Sequence, residues 1–153
     1  MEILPSGRIG FGTTSPTGVL HIKAGTASAN TAPLKLTAGT NLTTPEAGAV
    51  EFDGTNYFGT SSTTRYTFAK TLTNTASLDF ASTGAGAVSD LTITVTGAAD
   101  GDAVSLGVPN GSVTATATYT AWVSAANTVT VRFSPKATED PASGTFRVSV
   151  IKY

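Results

Sequence analysis

The chain has 153 residues, enough for one domain or for one domain with an extended arm. Only 12% of them are charged, about half the usual share for a soluble domain, and the net charge of −1 leaves no electrostatic case for nucleic acid or an anionic membrane. Cysteine is absent, which excludes disulfides and thiol chemistry, and no apolar run approaches the ~20 residues of a membrane-spanning helix.

About one residue in five is threonine, which with valine favours strands, and no segment has convincing helical periodicity. Residues 1–5 have neither the basic region nor the apolar stretch of a signal peptide, so synthesis in a cytoplasm is expected.

The first part of the chain reads as short strand-like pieces at 8–11, 19–23, 33–37, 49–52 and 56–58, separated by glycine, proline and serine-rich turns. Asp53-Gly54 lies between Val50-Glu51-Phe52 and Tyr57-Phe58, which predicts a hairpin with a tight primed turn, φ being positive at both central residues. Apolar side chains are sparse over these residues, too few to offset the entropy of ordering the backbone alone. Such a segment orders only when something covers it, and another copy of the same chain is the expected cover. Residues 70–76 read as a junction.

The second part alternates with period two. Leu91-Thr92-Ile93-Thr94-Val95-Thr96 puts apolar residues on one face and threonines on the other, and Val129–Phe133 and Phe146–Val150 repeat the pattern. With 76–80, 104–108 and 119–123 these make about six strands separated by turn signals, the pattern of an antiparallel β-sandwich, jelly-roll-like. Inward positions are Leu91, Ile93, Val95, Val104, Leu106, Val129, Val131, Phe133, Phe146, Val148 and Val150. The expected fold is therefore all-β: an extended, intertwined N-terminal β arm over residues 1–70, then a β-sandwich head over 76–153.

Arg8-Ile9-Gly10-Phe11-Gly12-Thr13-Thr14-Ser15-Pro16, followed by Leu20-His21-Ile22, resembles a motif of bacteriophage tail-fibre and virion-appendage proteins. Pro33-Leu34-Lys35-Leu36-Thr37-Ala38-Gly39-Thr40 and the run Pro45 to Asn56 resemble the segment that commonly follows it. Residues 77–153 are similar to a fibre-associated β-domain, through Gly101-Asp102-Ala103-Val104, Thr120-Ala121-Trp122-Val123 and Asp140 to Val148. The resemblance implies a homotrimer wound about a threefold axis, a virion location and no catalysis. Ile9, Phe11, Leu20, Ile22, Leu34, Leu36, Val50, Phe52, Tyr57 and Phe58 are the expected trimer-interface residues. The chain is short for a tail fibre, so it also suits a capsid decoration, or cement, protein.

No catalytic, cofactor or metal site is expected. Gly10-Phe11-Gly12-Thr13-Thr14-Ser15 falls short of a phosphate loop, because the third glycine is missing and no helix follows. His21 is the only histidine and sits in a strand without partners for a triad or a metal. Glu51 and Asp53 share a strand face, where a solvent-facing hairpin rim is expected rather than acid–base work. Asp100-Gly101-Asp102 has too few oxygens for calcium and reads as a turn. Trp122 falls out of phase with Tyr119, Ala121 and Val123, so it faces outward as a candidate contact.

The expected partners are further copies of the chain and other virion proteins such as the major capsid or tail protein, with no nucleic acid and no membrane insertion. The rival readings are a short tail fibre or fibre tip that binds a host surface glycan, and a carbohydrate-binding module.

Overall fold

The computed structural model describes residues 1–152. They form twelve strands and one 3₁₀ turn at Asn110–Ser112, with no α-helix among the described residues. The chain divides into a unit spanning Met1–Phe68 and a second that begins at Ala69.

In the first unit β1 (Glu2–Ile3) runs antiparallel to β2 (Ile9–Phe11), which pairs in parallel with β3 (Leu20–Ile22). β4 (Val50–Phe52), β5 (Tyr57–Ser61) and β6 (Thr64–Thr67) form an antiparallel meander. Residues 33–37, expected as a strand, form none. A strand needs a ladder partner for its backbone groups, and the bond that ties this region to β4 comes from outside the stretch, Gly39 N–H donating to the Phe52 carbonyl at 3.0 Å.

The hairpin between β4 and β5 closes with four residues rather than a two-residue primed turn. Gly54 alone takes a left-handed conformation there, at φ 98°. The Asp53 carboxylate replaces the second positive φ as the organiser. Its Oδ1 accepts from the N–H groups of Thr55 and Asn56, both at 2.7 Å, an Asx turn that leaves Asp53 in an ordinary conformation.

The second unit contains β7 (Lys70–Leu78), β8 (Ser89–Thr94), β9 (Ala103–Gly107), β10 (Thr118–Ala125), β11 (Thr128–Ser134) and β12 (Gly144–Lys152). They build two three-stranded antiparallel sheets, ordered β10-β11-β8 and β7-β12-β9. Residues 70–76, expected as a junction, thus lie within β7, and the division between the units falls just before them. In Lys70-Thr-Leu-Thr-Asn-Thr-Ala-Ser-Leu78 only Leu72, Ala76 and Leu78 contribute apolar bulk to the interior, so period two is diluted by threonine and asparagine.

Both sheets contribute to one core. Val129, Val131 and Phe133 meet Phe146, Val148 and Val150 there with Ile93 and Val95, all fully or almost fully buried. Leu91, Val104 and Leu106 pack against this cluster as partly buried residues. The unit is β-sandwich-like, with its inner faces as alternation assigned them. Phe80 lies beyond the end of β7, yet only 1% of its surface is exposed. Its ring sits 5.7 Å from each of Tyr119, Phe133 and Phe146, so an irregular segment plugs the core.

Candidate functional site

In the first unit no Val, Leu, Ile, Met, Phe or Tyr side chain is buried. Of the ten residues expected at an interface, Phe11, Leu20, Leu34, Val50 and Tyr57 are exposed. Ile9, Ile22, Leu36, Phe52 and Phe58 are half-buried. The short strands bring some of them together: Ile9 pairs with Leu20, Phe11 with Ile22, and Phe52 stacks on Tyr57 with centroids 4.4 Å apart. Within one chain these strands therefore leave their apolar side chains exposed or half-buried.

Glu51 organises the meander from within instead of lining a solvent-facing rim. Its Oε1 accepts from the Leu42 N–H at 2.6 Å, and Arg65 Nε donates to Oε2 at 2.8 Å. Arg65 Nη2 also donates to the Leu42 carbonyl at 2.6 Å. The Leu42 N–H, with Arg65 beside it, holds the Glu51 carboxyl below its ordinary value against the opposing effect of desolvation. Residues 39–42 are thereby clamped across β4. Between them and β4 lies a groove of about 380 Å³, whose apolar wall is Leu36, Leu42, Val50 and Phe52. Asn41, which also lines the groove, has a buried Oδ1 with no hydrogen-bond partner among the described residues. Arg65 was not legible as the partner of Glu51, because it lies on β6 and meets β4 only through the register of the intervening strand.

The remaining sequence candidates resolve into local structure. Gly10 is a buried strand residue where an added Cβ would collide with the Thr13 carbonyl, and Gly12 has φ 73°, so the glycines serve a tight turn. His21 Nδ1 accepts from the Thr17 N–H at 3.3 Å. Asp102 Oδ2 accepts from the Ala99 N–H at 2.8 Å and from Lys152 Nζ at 2.9 Å, tying the turn to the end of β12. No group of three or more His, Cys, Asp or Glu placed to hold a metal occurs among the described residues, and none of their helices is long and apolar enough to cross a membrane.

Trp122 faces outward and is 37% exposed. The Arg132 guanidinium stacks over its ring at 4.9 Å and pairs with Asp90 through both forks, at 2.8 and 2.6 Å. The hydrogen bonds of that pair lower the Asp90 carboxyl and raise Arg132 from their ordinary values. Asp90 and Arg132 are direct neighbours across β8 and β11, a register that alternation alone does not specify. The outward tryptophan is thus already engaged on one side by its own chain.

No protein-family model, curated protein or solved structure matches this chain.

Proposed function

We propose that this chain is a non-enzymatic structural protein of a bacteriophage virion. It works as a homotrimer whose residues 1–70 form an intertwined β arm and whose residues 76–153 form a jelly-roll-like head. It stabilises the particle as a capsid cement, or decoration, protein. The observation that carries the reading is the first unit, whose short ordered sheets leave every large apolar side chain at least partly uncovered. Monomeric soluble proteins rarely keep a whole unit in that state, whereas interwoven oligomers bury it between chains. The virion setting rests on the resemblance of residues 8–16, 20–22, 33–40, 45–56 and 77–153.

Strand order supports the jelly-roll form of the head. Six strands wrapped as one folded ribbon would pair first with last, second with fifth and third with fourth. β7 does pair with β12 and β8 with β11, and β9 lies beside β10.

The test is the mass of the full chain in solution by light scattering. A mass near three times 15.4 kDa supports the trimer, and a mass of one chain overturns it. A chain truncated to begin at Ala69 is then expected to lose association if the first unit carries it. The outward Trp122 favours a second reading, a short tail fibre or fibre tip that binds a host glycan. Labelling on virions separates the two: many copies across the capsid, or few at the tail.

A further inference from the structure

The two outward faces of the second unit treat their arginines differently. On the β10-β11-β8 face Arg132 is saturated, with Asp90 on its forks and Trp122 against its plane. On the β7-β12-β9 face the Arg147 guanidinium has no ion pair, hydrogen bond or ring contact among the described residues.

Its direction follows from the strand. Phe146, Val148 and Val150 are fully buried, so Arg147 and Ser149 face outward. In register, Arg147 lies between Thr75 on β7 and Gly107 on β9, and Ser149 lies between Thr73 and Ser105. Directly paired residues share a face, which gathers four hydroxyl side chains, those of Thr73, Thr75, Ser105 and Ser149, beside one cation left free among the described residues. Gly107 adds no side chain on the other flank. Thr73, Asn74, Thr75, Arg147 and Ser149 line a shallow depression of about 470 Å³.

We propose that this depression binds a carboxylate that also carries hydroxyl groups, the chemistry of an acidic sugar. The planar guanidinium takes the carboxylate through two parallel hydrogen bonds, and Thr73, Thr75 and Ser149 exchange hydrogen bonds with the ligand hydroxyls. One positive charge matches a monoanionic carboxylate better than a dianionic phosphate. The lining offers no apolar wall for a lipid tail or an apolar peptide side chain. The site lies within the second unit and stands independently of the trimer and of the virion setting.

The experiment is a titration of the full chain with glucuronate, read by calorimetry and by the Arg147 Nε–H resonance. Glucose, acetate and inorganic phosphate are the comparison ligands, and a polyuronate distinguishes a saccharide chain from a free acid. Glucuronate is expected to bind with a dissociation constant on the order of 1 mM and to shift the Arg147 signal. Glucose and acetate are expected to bind at least about tenfold more weakly, since each lacks one half of the recognised chemistry. Arg147→Gln lowers glucuronate affinity by at least about tenfold with an unchanged circular dichroism spectrum. Arg147→Lys, which keeps the charge and loses the fork, gives a partial loss and serves if the glutamine variant does not fold. Tighter binding per residue to the polyuronate marks a saccharide chain as the ligand, and equal binding marks the free acid. Equal glucuronate binding by wild type and both variants, equal binding of glucose, preferred binding of phosphate, or no glucuronate binding at all overturns the proposal.

Discussion

Leu20 and Val50 provide the sharpest test of the assembly reading, because they are surface residues in one state and interface residues in the other. Within a single chain Leu20 is 58% exposed and Val50 56%. Replacing both with glutamate therefore costs the folded chain little, within about 0.5 kcal/mol each. In the proposed trimer the same positions would be covered. Each leucine or valine there contributes about 1 kcal/mol of further burial, and a carboxylate in its place loses its hydration and costs several kcal/mol. Leu20→Glu with Val50→Glu places six such carboxylates in one assembly. The dissociation midpoint should then rise by more than about a thousandfold, the shift that ~4 kcal/mol produces. Light scattering across a dilution series reads this directly, with near-ultraviolet circular dichroism to show that the second unit remains packed. Thr118→Glu, on an exposed position of β10, should leave the mass unchanged. A double variant that keeps the wild-type trimer mass at every dilution would refute the reasoning, as would a wild-type chain that is already monomeric.

Phe80→Ala should destabilise the second unit by about 3–5 kcal/mol in denaturant unfolding. The side chain is 1% exposed and has three aromatic neighbours, so a loss below about 1 kcal/mol would mean that the segment does not plug the core. Tyr119→Phe removes the hydrogen bond from the Tyr119 hydroxyl to the Ser112 carbonyl at 2.9 Å and should cost about 1 kcal/mol in the same assay, with no change in mass. Stability should also fall in acid. The carboxyls of Glu51, Asp90, Asp102 and Glu139 are all held below their ordinary values, Glu139 first by the Thr114 hydroxyl and then by Thr116. Unfolding raises them to about 3.9–4.3, so the unfolded chain binds more protons. Their contribution is complete above that range and is lost as pH falls through the lower folded values. Thermal melts should therefore drop steadily below about pH 5, and Glu139→Gln should flatten part of that slope. A melting temperature independent of pH in this range would contradict the network.

The β class and the inner faces of the second unit were legible from local pattern. Leu91-Thr-Ile-Thr-Val95, Val129–Phe133 and Phe146–Val150 alternate because each strand buries one face, and a face is a property of consecutive residues. The outward direction of Trp122 followed from the same period, and the sparse apolar content of residues 1–68 follows from composition. Pairing decided the rest. β7 extends back to Lys70 because β12 offers a nine-residue ladder for it, although its own threonines hide the period. Tyr57–Ser61 and Thr64–Thr67 become a hairpin through a left-handed Ser62 at φ 58°, in a stretch whose composition reads as loop. Glu51 meets Arg65, Asp90 meets Arg132 and Arg147 finds no partner among the described residues because of strand register. A shift of one residue turns every side chain of a strand to its other face. Register is set by cores and turns far along the chain, so these contacts exist only once the sheets have formed.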